Sequence, residues 1–90
     1  MQTYAITYIK KLDINKYTDE MPVGTIEADL LGAAKRTASE YLNQWFIDKK
    51  IQIRNKGEWT KDVKRAGLVR EFLVTEQGTA AKLIFILREQ

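Results

Sequence analysis

Residues Leu83-Ile84-Phe85-Ile86-Leu87 are apolar at every position. An amphipathic helix or a half-exposed strand would interrupt such a run with polar residues at its own period. A strand that is covered on both faces, or that lies centrally in a sheet, has no reason to. The run therefore predicts a β-strand over Ala81 to Arg88, and it predicts a sheet around that strand. It is far too short to cross a bilayer as a helix.

The preceding segment supplies a neighbour. Leu68 to Thr75 is strand-like, with Leu68, Phe72 and Val74 on one side and Val69 and Leu73 on the other. Glu76-Gln77-Gly78-Thr79 is the turn between the two. At the other end of the chain Tyr4, Ile6 and Tyr8 alternate with Ala5, Thr7 and Ile9, which predicts a first strand over 3–11. Loop chemistry follows at Asp13 to Lys16 and Asp19 to Pro22, then a second strand over Val23 to Ala28 with Ile26 and Ala28 facing inward.

A different period takes over after Ala28. Leu31, Ala34, Ala38, Tyr41, Leu42 and Trp45 fall on one face of an α-helix, and Lys35, Arg36, Ser39, Glu40 and Asn43 fall mainly on the other. The helix is expected at about residues 30–47, with Asp29 as its N-cap and Asp48-Lys49-Lys50 as its polar end. Small Ala34 and Ala38 would let it sit close to a sheet. Ile51 to Arg54 alternates again as a short strand, and Asn55-Lys56-Gly57 is a turn signal. Residues 58–67 read in two ways. Trp59, Lys61 and Val63 alternate like the return arm of a hairpin, which is the preferred reading; Thr60 would otherwise cap a short helix over Lys61 to Ala66, closed by Gly67.

The expected order is β-β-α-β-(β)-β-β: an α+β domain over residues 1–90, with an antiparallel or mixed sheet of four to five strands and one long helix on one face. One helix covers one face. The other face must be covered by a loop, by the 58–67 segment or by a second subunit.

Composition narrows the chemistry. The chain has 90 residues, 44% hydrophobic and 30% charged, which is a globular rather than a disordered balance. It has no cysteine and no histidine. Disulfide scaffolds, zinc ribbons and thiol catalysis are excluded, and the commonest general base and metal ligand are missing. No cofactor is expected, and an enzyme working through carboxylates or tyrosines is disfavoured. The glycines are scattered and form no phosphate loop. Met1 to Ala5 lacks the charged start and apolar core of a signal peptide, so a cytoplasmic, non-membrane protein is expected.

Four surfaces are candidates for function. Residues 48–67 hold seven basic and three acidic side chains, a net +4 within a chain of net +3. Lys49, Lys50, Arg54, Lys56, Lys61, Lys64 and Arg65, with Trp59 among them, fit a surface that neutralises phosphates and stacks an unpaired base. Asp48, Glu58 and Asp62 interrupt that run, as they would on ordinary solvated surface. Tyr4, Tyr8, Tyr41, Trp45 and Phe46 are aromatic neighbours whose spacing core packing explains without a ligand. Asp13, Asp19 and Glu20 form an acidic loop without the ligand periodicity of a calcium site. The strand Leu83, Ile84, Phe85, Ile86 and Leu87, or its partner, would pair with another chain if it lay at a sheet edge.

The function expected is that of a small non-enzymatic module binding a macromolecule: another protein or itself, through a sheet edge or an uncovered face. The alternative is a nucleic-acid-binding domain using the basic 49–65 segment and Trp59.

Overall fold

The computed structural model describes all 90 residues. In chain order the elements are β1 (Gln2–Asp13), β2 (Lys16–Tyr17), β3 (Met21–Ala28), α1 (Leu31–Lys49), β4 (Gln52–Lys56), β5 (Thr60–Asp62), β6 (Gly67–Glu76) and β7 (Thr79–Glu89). One helix packs on one antiparallel sheet, the α+β arrangement the periodicities predict. The sheet has seven strands rather than four to five. The surplus lies in its two outer rows, each of which is broken: β2 and β3 both pair with β1, and β4 and β5 both pair with β6.

The all-apolar strand β7 is interior. It pairs with β1 from Lys10↔Leu83 to Tyr4↔Glu89 and with β6 from Leu68↔Leu87 to Glu76↔Thr79. Gln77 and Gly78, both at positive φ, make the two-residue turn of the β6–β7 hairpin. Both backbone edges of Leu83–Leu87 are thus occupied. That strand is not an edge open to another chain, and its partner β6 is flanked by β4 and β5.

The strand's two faces serve two clusters. Leu83, Phe85 and Leu87 face the helix and join Tyr4, Ile6, Ile26, Leu68, Phe72 and Val74. Ile84 and Ile86 face away and are buried with Ile9, with Val69 packed against them. The loop before β3 and the 58–67 segment both reach the second face, two of the three covers the sequence allowed. Thr7 and Arg88 share this face and both bind Glu20: the Thr7 hydroxyl donates at 2.7 Å, and Arg88 donates to both carboxylate oxygens, through Nη2 at 2.9 Å. Arg88 Nε also donates to the Arg65 carbonyl at 2.7 Å, and the Arg65 guanidinium lies 5.8 Å from the Tyr17 ring centre. The stretch before β3 and the turn before β6 are tied together through one arginine.

Helix α1 buries Ala34, Ala38, Leu42 and Phe46. The step of four is a single ridge, and alanines at its N-terminal half bring the backbone close to the sheet. Tyr41 and Leu31, expected inside, are partly exposed. Phe46, Trp45, Tyr8, Phe72 and Phe85 form an aromatic cluster. Phe85 lies 5.3–5.5 Å, centre to centre, from each of the other four. Core packing therefore accounts for Tyr8, Trp45 and Phe46, and Tyr4 is buried beside them.

Both helix ends differ from expectation. The N-cap is Leu30, not Asp29, and no side chain bonds the first-turn N–H groups. Asp29 lies one residue too early, because the helix opens at Leu31. At the other end the helix runs to Lys49. Lys50 adopts the left-handed conformation (φ 58°, ψ 38°), its N–H donates to Ile47 O, and the Ile51 N–H donates to Phe46 O. Buried Ile51 packs in the same cluster as Phe46, completing a Schellman end whose apolar contact was not anticipated. The 58–67 segment forms neither the return arm to β4 nor a helix. Its β5 pairs with β6 instead, through a turn over residues 63–66. Gly67 opens β6, where a Cβ would meet Leu87 O at 2.6 Å. Glycine is there for close strand approach, not to end a helix.

Two outcomes follow. Lys50→Gly removes the left-handed penalty of a side-chain-bearing residue and is expected to stabilise the fold by about 1 kcal/mol, read from the denaturant midpoint. The Glu20 pKa is pulled from 4.5 to about 2, chiefly by the Arg88 and Thr7 hydrogen bonds, against some desolvation. A depressed carboxylate stabilises above its unfolded pKa and loses that contribution as pH falls towards 2. Side chains 31% and 34% exposed limit the effect to about 1 kcal/mol or less. Glu20→Gln is expected to be less stable at neutral pH and to show a shallower loss of stability between about pH 5 and 2 than the parent.

Candidate functional site

The basic residues of 49–65 do not form one surface. Lys49 lies over the Trp45 ring at 5.9 Å. Lys50 is the helix C-cap, and Arg54 stands in a bulge where β4 slips register against β6. Lys61 lies in β5, Lys64 in the turn after it, and Arg65 over Tyr17 behind the sheet. Only Lys56 and Trp59 come together, and they do so with residues from other parts of the chain.

The cleft they enter is open and about 450 Å³ in volume. Helix α1 forms one wall with Gly32, Lys35, Arg36, Ser39 and Asn43. Steps of four place Lys35, Ser39 and Asn43 in a row along the flank of the buried Ala34–Ala38–Leu42 ridge, with Arg36 further round the helix. The β4–β5 connection forms the other wall with Lys56, Glu58 and Trp59, and Arg70 of β6 closes it. Four cations and one carboxylate thus line a single concavity. None of the four cations is in an ion pair.

A hydrogen-bond network fixes its walls. The Ser39 hydroxyl donates to the Lys35 carbonyl at 2.8 Å. It accepts from Trp59 Nε1 at 3.0 Å and from Arg70 Nη1 at 2.8 Å. One donor and two acceptor positions are all that a hydroxyl has, so Ser39 is saturated. Arg70 Nε donates to Gly57 O at 2.7 Å, and the Gly57 N–H donates to Glu71 O at 2.8 Å. The guanidinium lies 5.1 Å from the Phe72 ring centre and 6.0 Å from that of Trp59. Arg70 is held on the aromatic core by one side and keeps its charge at the cleft. Trp59 is half-buried, with its ring on the main core and its N–H tied to the helix.

Sequence reasoning placed Lys56 and Trp59 among its candidates but missed Lys35, Arg36, Ser39, Asn43 and Arg70. The polar face of the helix was legible. Nothing in the sequence says which loop packs against that face, and Arg70 stands in a charge-balanced segment. The acidic loop has no comparable convergence: Asp13 accepts from the Ile14 N–H, Glu20 belongs to Arg88, and no group of carboxylates is arranged to hold a metal.

The fold and cleft define an α+β domain with a concave cationic surface. Among known proteins, no family model, no curated protein and no solved structure matches the chain.

Ser39→Ala leaves the Trp59 and Arg70 donors without their acceptor while changing little volume. It is expected to cost about 1–3 kcal/mol by chemical denaturation and to alter Trp59 fluorescence. Ser39→Thr, which keeps the hydroxyl, is expected to recover most of the loss.

Proposed function

We propose that this chain is a non-enzymatic binding module that takes single-stranded nucleic acid into the cationic cleft. The observation that carries this reading is the convergence of Lys35, Arg36, Lys56 and Arg70, unpaired, beside Trp59. Unpaired cations on a shared surface favour a polyanion, because bringing phosphates to them releases counterions. The shape selects the form of the nucleic acid. Duplex grooves admit a protruding helix or ribbon. A concave groove with an aromatic beside it suits a flexible strand whose bases can unstack. Asn43, whose side chain has no hydrogen-bond partner in the protein, adds a group that hydrogen-bonds without demanding a sequence.

β7 offers no free edge to a protein partner, which favours nucleic acid. The contacting surface is not the contiguous 49–65 segment but a site assembled from helix, loop and strand. No helix is long and apolar enough to cross a membrane. The setting proposed is the cytoplasm, in keeping with a cysteine-free chain.

Binding of a fluorescent single strand should fall with salt at a log–log slope of about −3, from four neutralised phosphates at ~0.7 each. Arg36→Gln or Lys56→Gln should each reduce the slope by about 0.7 and weaken all sequences alike. Arg54→Gln, outside the cleft, should leave affinity nearly unchanged. Tighter binding to duplex than to single strand, or no binding at low salt, would overturn the proposal.

A further inference from the structure

A second concavity lies at the start of β1, and it is apolar where the first is charged. Its floor is the side of the core: Tyr4, Leu68 and Leu87. Its lips are Leu31, 49% exposed, and Val63, 83% exposed, from the first turn of α1 and the turn after β5. Lys61, Asp62 and Glu89 rim it, for a net charge of −1, and its volume is about 480 Å³.

The β1–β2 hairpin tip has the opposite design. Leu12, near the end of β1, is 64% exposed, and Ile14, in the turn where Asn15 takes positive φ, is 79% exposed. Nothing in the hairpin's own backbone geometry asks for large apolar side chains there. Lys10 is paired with Glu76 at 3.4 Å; residues 11–16 carry Lys11 and Lys16 against Asp13, a net +1. No residue of the tip lines the apolar groove of its own chain.

We propose that these two surfaces are one interface: the β1–β2 tip of one copy seats Leu12 and Ile14 in the apolar groove of a second copy. Charge complementarity names the occupant, since the lysines that flank the tip meet Asp62 and Glu89 at the rim. Two copies that exchange tips about a two-fold axis satisfy both surfaces in a closed dimer, whereas a head-to-tail contact leaves one tip and one groove free and continues beyond the dimer unless a ring closes. The groove is small for a stable interface, so association is weak and concentration-dependent. It does not rest on the nucleic-acid reading, because the tip and groove share no residue with the cationic cleft.

The test is sedimentation of the full chain across the micromolar to millimolar range. The unmodified protein is expected to gain mass with concentration, to that of a dimer if the tips are exchanged reciprocally and past it if the contact runs head to tail. A tip variant, Leu12→Glu with Ile14→Glu, and a groove variant, Val63→Lys, are each expected to remain monomeric. Mixed in equal amounts, the two should form a one-to-one dimer and stop there, because one supplies an intact groove and the other an intact tip. Circular dichroism establishes that each variant is folded. Should the tip variant fail to fold, Lys11→Glu with Lys16→Glu leaves the apolar groups in place and is expected to weaken association several-fold. An unmodified protein that stays monomeric at millimolar concentration overturns the proposal. So does a mixture that stays monomeric, or an oligomer that neither the tip nor the groove variant disturbs.

Discussion

The packing of Phe85 under helix α1 is the contact on which the rest depends. Phe85 sits at the middle of the central strand, fully buried, against Tyr8, Trp45, Phe46 and Phe72 from three other elements. Edge-on and stacked ring pairs of this kind are worth ~0.5–1.5 kcal/mol each beyond the apolar area they bury. They also set where the helix lies. With Phe46 and Trp45 fixed over Phe85, the alanine end of α1 falls against β3 and the core, and its polar face is turned towards the β4–β5 connection.

That placement creates the cationic cleft, and the Ser39 network keeps it open. Arg70 could have collapsed onto a carboxylate, as Arg88 does on the other side of the sheet. Instead its nitrogens bind a hydroxyl and a carbonyl, which orient the guanidinium without neutralising it. The two arginines show the same side chain in opposite uses. Arg88 binds Glu20 and secures two loops over the second face. Arg70 is positioned and left charged, which is what a site for an anion requires.

The architecture was legible where periodicity is strong. The run Leu83–Leu87 announced a strand apolar on both faces, and Ala34, Ala38 and Leu42 announced the buried side of the helix. Legibility failed at the ends and edges. Asp29 looked like a cap because its chemistry suits one, yet the backbone turns helical two residues later and leaves Leu30 in that place. The outer rows of the sheet break at Thr18 to Glu20 and at Gly57 to Trp59, and short two- and three-residue strands there carry no periodic signal. The basic segment misled because adjacency in sequence is not adjacency in space. Between Lys49 and Arg65 the chain passes through a helix end, a bulge, a loop, a strand and a turn, so its seven cations point to different surfaces.

The sequence by itself determined the class: one helix on an antiparallel or mixed sheet, a strand apolar on both faces, and a chemistry without thiol or imidazole. Residue type and short-range period are enough for these, because each is settled by the choice of face within one element. Tertiary structure decided which of the cations share a site. Lys35, Lys56 and Arg70 come from three elements, and only the seating of α1 on Phe85 brings them to one cleft. It also decided that the second face of the sheet is covered from within the chain. That cover depends on Arg88 reaching Glu20 across 68 positions, a contact that no local pattern records.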